Sequence, residues 1–175
     1  MKEYESNIKT YNWNNENFNI LKSLLKQIFL SLYIAFKLFG FIHNDTHFGN
    51  FLLKKQKKQI IFYKYNDEII EVNTEGYSIV IIDFETSLFD KNKTSFDFLC
   101  KIFINIINNI KYELNIEFEN KDEIIKILSL NKDFEIKQIL SLLDNLKYKN
   151  IYKLPLFSLS YKEILKNMNL NKINN

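Results

Sequence analysis

The stretch Phe41-Ile-His-Asn-Asp-Thr-His-Phe-Gly-Asn-Phe-Leu-Leu53 contains both histidines of the chain, and it sets His43, Asp45, His47 and Asn50 between two apolar segments. A polar loop held between rigid elements can fix a general base and metal-binding oxygens in place. On its N-terminal side Leu21, Leu25, Ile28, Leu32, Ala35, Phe36 and Phe39 recur at helical spacing from Phe18 onward, and Gly40 supplies a stop. Phe29, Leu30, Tyr33 and Ile34 add apolar mass on the remaining faces, so this helix is predicted to be buried nearly all round and to form the spine of the core. On the C-terminal side the period changes. Strand-like runs follow at Phe51 to Lys54, Gln59 to Lys64, Glu68 to Asn73 and Ser78 to Asp83, with Tyr65-Asn-Asp67 as a hairpin turn.

The last of these runs, within Ile79-Val-Ile-Ile-Asp-Phe-Glu85, is an apolar, largely β-branched strand that ends in a carboxylate. Desolvating Asp83 there is costly unless something binds it, and a strand end is where an oxygen ligand for Mg²⁺ is wanted. Beyond Thr94 the helical period returns, with Phe98, Ile102, Asn105 or Ile106 and Asn109 or Ile110 on neighbouring turns. Further helical segments are expected at Glu123 to Leu130, at Phe134 to Leu146 and after Ser160, with Leu154-Pro155 breaking the last two apart. Residues 1–17 are polar and Asn-rich with only Trp13 as a large anchor, which predicts a loosely held, flexible arm ending in a helix start near Asn15 or Asn17.

Composition sets the bounds. With 175 residues, 46% hydrophobic and a net charge of +3, the chain can hold one medium-sized core but not two independent domains, and disorder is excluded. Three Gly and one Pro argue against a turn-dense β-sandwich, so the expected class is α+β, mainly helical. Every basic residue is Lys, and the 24 positive charges are scattered among 21 negative ones, which argues against a nucleic-acid partner read by one electropositive face. Lys54-Lys-Gln-Lys-Lys58 reads as a solvated tip between two strands. Cys100 stands alone, so neither an internal disulfide nor a cysteine-based zinc site can form and a reducing compartment is expected. No signal-peptide core follows Met1, and Lys22, Lys26, Gln27 and Lys37 interrupt the Phe18 to Phe39 stretch as a membrane span. The expectation is a soluble, intracellular, cytoplasmic protein with no membrane partner.

Taken together, the polar loop and the Asp83 strand resemble the C-terminal lobe of the protein-kinase-like phosphotransferases. His43-Asn-Asp45-Thr-His-Phe-Gly-Asn50 matches the catalytic-loop pattern His-x-Asp, four residues, Asn, and Asp83-Phe84-Glu85 stands where that family has Asp-Phe-Gly. The resemblance covers roughly residues 18 to 110. It implies a kinase-like C-lobe over 18–175 with a small β-hairpin sheet on one side, using ATP and Mg²⁺. In that frame Asp45 is the base that orients the acceptor hydroxyl, Asn50 and Asp83 hold Mg²⁺ and the nucleotide phosphates, and His43 anchors the loop. Asp97 resembles the family's buried Asp that ties the catalytic loop in place; the alternative is a helix N-terminal acid favoured by the dipole.

Two branches compete for the acceptor. The long hairpin from Gln59 to Asn73 is similar to kinase-like proteins of large DNA viruses, which implies a protein hydroxyl as acceptor and a host cell as the setting. The second His47, and Glu85 in place of Gly, are more similar to aminoglycoside and choline kinases, which implies a small-molecule hydroxyl. Glu85 is also expected to hold Asp83 in one conformation, with no phosphorylation switch in Thr86 to Thr94. The family's nucleotide-binding lobe is expected before residue 18, yet the arm has no glycine and is too short for it. The resemblance therefore implies a C-lobe with its N-lobe missing: a truncated domain or gene fragment whose N-lobe a separate chain supplies, or a catalytically inactive, pseudokinase-like binding module. Two plainer readings stand beside it, a polar loop that satisfies its own backbone and a metal-hydrolase site with both histidines and Asp45 as ligands.

Overall fold

The computed structural model describes residues 4–14, 16–92, 96–130 and 135–151. In chain order its first elements are β1 (Ser6–Asn7), α1 (Phe18–Phe39), β2 (Phe41–Ile42), β3 (Phe51–Lys55), β4 (Ile60–Tyr65), β5 (Glu68–Asn73), β6 (Tyr77–Ile81) and β7 (Leu88–Phe89). Then follow α2 (Phe96–Leu114), β8 (Ile116–Phe118), α3 (Lys121–Leu130), α4 (Ile136–Asp144) and β9 (Tyr148–Ile151). Among the described residues the fold is α+β, four helices with small antiparallel sheets, and strands are more numerous than the composition predicts. The excess comes from the short strands β1, β2, β7, β8 and β9, each paired with a segment distant in sequence. The helix predicted after Ser160 and the Leu154-Pro155 break lie outside the described residues.

Helix α1 spans the predicted residues and is the core spine. Only Asn19, Leu38 and Phe39 are exposed, and Leu21, Leu24, Leu25, Ile28 and Phe29 are sealed from solvent. The Phe29 ring lies 4.2 Å from that of Phe103 on α2, an aromatic contact worth about 0.5–1.5 kcal/mol beyond its burial. The helix ends at Gly40, whose φ of +68° suits glycine, and whose N–H bonds back to the Phe36 carbonyl at 2.7 Å. A Cβ on Gly40 would sit 1.9 Å from the Asp90 carbonyl oxygen, so glycine is required twice over. By length and composition α1 could cross a membrane, yet 61% of its most apolar window is buried inside the chain.

The central sheet has the order β1-β3-β6 and is antiparallel throughout, with Phe51 opposite Ile81 and Lys55 opposite Tyr77. The N-terminal segment is therefore not the loose arm that its polarity predicts. Ser6 and Asn7 pair with Leu53 and Leu52, Ile8 is fully buried, and the Trp13 indole donates to the Ile8 carbonyl at 2.9 Å. The physical reason is the free edge of β3, whose carbonyls would otherwise go unpaired. On the opposite edge of the sheet, Gln27 of α1 replaces a strand. Its side-chain oxygen accepts the Ile79 N–H at 3.1 Å, and its amide donates to the Tyr77 carbonyl at 3.0 Å.

Strands β4 and β5 form a separate ribbon, in register from Ile60–Asn73 to Tyr65–Glu68, with Asn66 at φ +52° in the predicted turn. Ile61, Tyr63, Ile70 and Val72 pack inward on the core, and Ile60, Phe62 and Ile69 face out. The ribbon hands the chain to β6, and β6 hands it to Asp83.

Candidate functional site

Strand pairing brings the two motifs of the sequence to one end of the central sheet. β3 begins one residue after Asn50, β6 ends two residues before Asp83, and the Ile82 N–H donates to the Asn50 carbonyl at 3.0 Å, continuing the ladder by a step. His43, with no exposed surface, ties the two segments together a second time. Its Nδ1 accepts the Asp45 N–H at 3.3 Å and its Nε2 lies 2.9 Å from the Ile82 carbonyl oxygen. Accepting at Nδ1 puts the ring proton on Nε2, which then donates to Ile82. With both nitrogens given to backbone groups, His43 is an anchor and has no lone pair left for a metal.

Asn50 is buried and its amide nitrogen donates to the Asp45 carbonyl at 3.1 Å, so its Nδ2 is committed and its Oδ1 makes no hydrogen bond among the described residues. His47 caps the short 3₁₀ turn Phe48–Asn50, with Nδ1 accepting the Gly49 N–H at 3.0 Å. A Cβ on Gly49 would crowd that ring at 2.7–2.8 Å, which is why the capping geometry wants glycine. The other nitrogen of His47, Nε2, stands 3.6 Å from Asp45 Oδ2, an ion pair only when the imidazole is protonated. Asp45 itself keeps a partly exposed carboxylate.

Asp83 is exposed, not desolvated at the end of a buried strand as the sequence implies, because β6 stops at Ile81. Its backbone adopts φ +60°, a left-handed conformation that is uncommon for a residue with a side chain. The other non-glycine residues of this kind have local reasons: Asn66 is in the hairpin turn, Asn115 closes α2, and the Glu75 N–H bonds to the Asn73 side chain at 3.1 Å. Asp83 lies in no such turn. It is held instead by its neighbours, Ile82 through the bonds to Asn50 and His43, and Phe84 through rings 5.4 Å from His43 and 5.9 Å from Phe41. Strain maintained in this way marks functional positions.

Asp97 is not part of this network. It is exposed in the first turn of α2, with no hydrogen bond to residues 43–50, so the loop-anchor role is corrected to that of a helix N-terminal acid. Its neighbour Cys100 is buried, and desolvation, with Asp97 adding to it, pushes that thiol up to about 11, well away from a nucleophile's range. The anchoring role belongs to a residue that the motifs do not reveal, Glu113 at the far end of α2. Its carboxylate accepts the Phe48 N–H at 3.1 Å, and Lys9 lies 4.0 Å from the same oxygen. No spacing rule marks Glu113, since it meets the loop only through the tertiary packing of α2.

The oxygens available here, an Asp83 carboxylate and an Asn50 Oδ1 without hydrogen-bond partners among the described residues, fit Mg²⁺. That ion takes hard oxygen ligands, one or two of them from protein and the others from phosphates and water. No cluster of three or more His, Cys, Asp or Glu side chains that could hold a metal occurs among the described residues.

Comparison with known proteins finds similarity over part of the chain. No family model matches. The sequence is 37% identical over 71 residues, 41% of this chain and 9% of the relative, to the serine/threonine-protein kinase haspin of Bos taurus. It is 50% identical over 54 residues, 28% of this chain and 4% of the relative, to a probable serine/threonine-protein kinase of Dictyostelium discoideum. The chain is protein-kinase-like in part of its length. An uncharacterized protein of Invertebrate iridescent virus 6 is 39% identical over 72 residues, 39% of this chain and 12% of the relative. This kinase-like chain thus spans about a tenth or less of the length of the curated relatives it matches.

Proposed function

We propose that this chain carries the acceptor- and metal-facing half of an ATP-dependent phosphotransferase, and that its acceptor is a protein hydroxyl. The observation that carries the reading is the double tie, through Asn50 and His43, that links the Asp45 loop to Ile82 next to Asp83, with the Asp83 residue exposed and the Asp45 carboxylate partly exposed beside His47. Asp45 accepts the proton of the acceptor hydroxyl as its oxygen attacks the γ-phosphorus and the bond to the departing ADP oxygen breaks. Asn50 and Asp83 are the residues that would hold Mg²⁺, which when bound offsets charge on the phosphates. The kinase names of the partial relatives favour a protein acceptor over a small molecule.

A ring of exposed aromatic and aliphatic side chains, Phe84, Leu88 and Phe89, follows Asp83 in the chain, with Phe41 in contact with both Phe84 and Phe89. Apolar surface of this extent beside a site is suited to a covering body. We assign that role to a nucleotide-binding lobe, whether from the same gene product or from a separate chain. The second reading, a binding module without catalysis, keeps the same ring and discards the chemistry.

The test follows phosphoryl transfer from labelled ATP to a mixed protein acceptor, using the full gene product. Asp45→Asn is expected to lower turnover by about 10²–10⁴-fold with folding unchanged. Asp83→Asn is expected to abolish Mg²⁺-supported transfer, and Asn is the conservative choice because it tolerates the left-handed backbone. Undiminished transfer by a folded Asp45→Asn protein would remove the enzyme reading.

A further inference from the structure

The β4–β5 ribbon has an open side that the site does not use. Among the described residues its sheet has two strands only, so β4 pairs with β5 on one side and with no strand on the other. The ribbon is not a loose flap. Its inward face is fixed by buried Val72, by Tyr65 against Tyr33 at 5.8 Å, and by Tyr63 packed against the core. Its outward face exposes Ile60 at 51% and Phe62 at 65%, followed on the same strand and face by Lys64. Free main-chain groups along a rigid edge, with alternating apolar side chains beside them, are what strand addition requires.

Charge selects the occupant. From Lys54 to Asn66 the chain carries Lys54, Lys55, Lys57, Lys58 and Lys64 and no acid, and among the described residues only Lys58 of these is paired, with Glu75 at 2.8 Å. A second copy of the chain placed antiparallel on this edge and centred on Phe62 would put Lys64 against Ile60, apolar against charge, and would bring no acid. An extended peptide with an acidic residue opposite Lys64, apolar residues opposite Phe62 and Ile60, and further acids past the end of the strand, toward Lys58 and Lys57 of the preceding loop, answers the charge and apolar pattern of this edge. Nucleic acid would answer the lysines but has no backbone that continues a β-ladder.

We infer that the β4 edge is a docking strand for an extended polypeptide segment of the pattern acid–x–apolar–x–apolar–x–acid–acid, bound antiparallel by β-augmentation. The proposal is independent of catalysis. The probe is the fluorescein-labelled peptide Glu-Thr-Val-Thr-Val-Thr-Glu-Glu, titrated with the full chain and read by anisotropy. Saturable binding is expected, weakened at least tenfold by Lys57→Glu combined with Lys64→Glu, both exposed positions whose change leaves the fold intact. The peptide with Lys in place of its three Glu residues should not bind.

Two backbone N-methylated versions, each blocking an alternate set of N–H groups, separate ladder formation from simple charge attraction. One of the two should lose binding while the other retains it. Equal binding by both, equal binding of the Lys peptide, or no binding of the parent would overturn the proposal. So would a chain that dimerises through β4, or one that takes a single-stranded oligonucleotide in preference to the peptide.

Discussion

Two antiparallel strand pairs, β3–β6 and β4–β5, are made of nearly the same residues, rich in Ile, Phe, Tyr and Lys, and lie next to one another in the chain. They end in opposite states. The β3–β6 pair has a partner on each outer edge, β1 on one side and on the other the Gln27 amide, which takes the Tyr77 carbonyl and the Ile79 N–H, and its end leads to the candidate site. The β4–β5 pair has one buried face, one exposed face and an open edge. The difference teaches that strand chemistry makes a ribbon, but edge partners decide whether the ribbon is core or surface.

The sharpest way to break the comparison is to truncate the same ring in each ribbon. Phe51→Ala in β3, where the side chain has no exposed surface, is expected to cost about 3–5 kcal/mol in urea unfolding. Phe62→Ala in β4 should change stability by no more than about 0.5 kcal/mol. Comparable losses would mean that the outer face of β4 is covered. A second variant tests the edge itself. Gln27→Leu preserves bulk but strands the Ile79 N–H and the Tyr77 carbonyl, at an expected cost of about 2–4 kcal/mol. If the loss stays below 1 kcal/mol on the scale of a single exposed hydrogen bond, the clamp on β6 is not what closes that edge.

Smaller effects sharpen the view of the open ribbon. Asn66→Ala should cost about 1 kcal/mol, since alanine resists the φ of +52° at the tip, and Asn66→Gly should be close to neutral by the same measurement. The smallest effect is on pH dependence. Burial raises the Tyr63 hydroxyl above its ordinary pKa near 10, with the bond to Ser31 opposing the shift. The unfolded chain therefore ionises first, binds fewer protons above pH 10, and stability falls as pH rises through the folded value. Tyr63→Phe should flatten that alkaline slope, and an unchanged slope would place Tyr63 in water.

Much of this architecture is legible in residue order. The spacing from Phe18 to Phe39 with Gly40 behind it gives α1 its span, and Tyr65-Asn-Asp67 gives the ribbon its turn, because both signals lie within a few residues of the structure they specify. Asp45, Asn50 and Asp83 stand out for the same reason, as polar residues in apolar surroundings. Glu113 and Gln27 do not stand out, since each is an ordinary polar residue in a helical pattern until its helix packs against a loop or a strand. Asp97 misleads in the converse way. A motif position suggests burial, but the first turn of α2 faces water.

What the sequence determines by itself is therefore local: the helices, the ribbons, the polar loop and the chemical character of its oxygens. What only the tertiary structure decides is long-range: that Ser6 and Asn7 complete a sheet, that His43 and Asn50 bind Ile82 and so present Asp83 in a left-handed conformation, and that the β4 edge stays open. The physical reason is the backbone hydrogen bond, whose donor and acceptor are the same in every residue except proline. Side-chain pattern says where a strand forms, and only packing says which other backbone it meets.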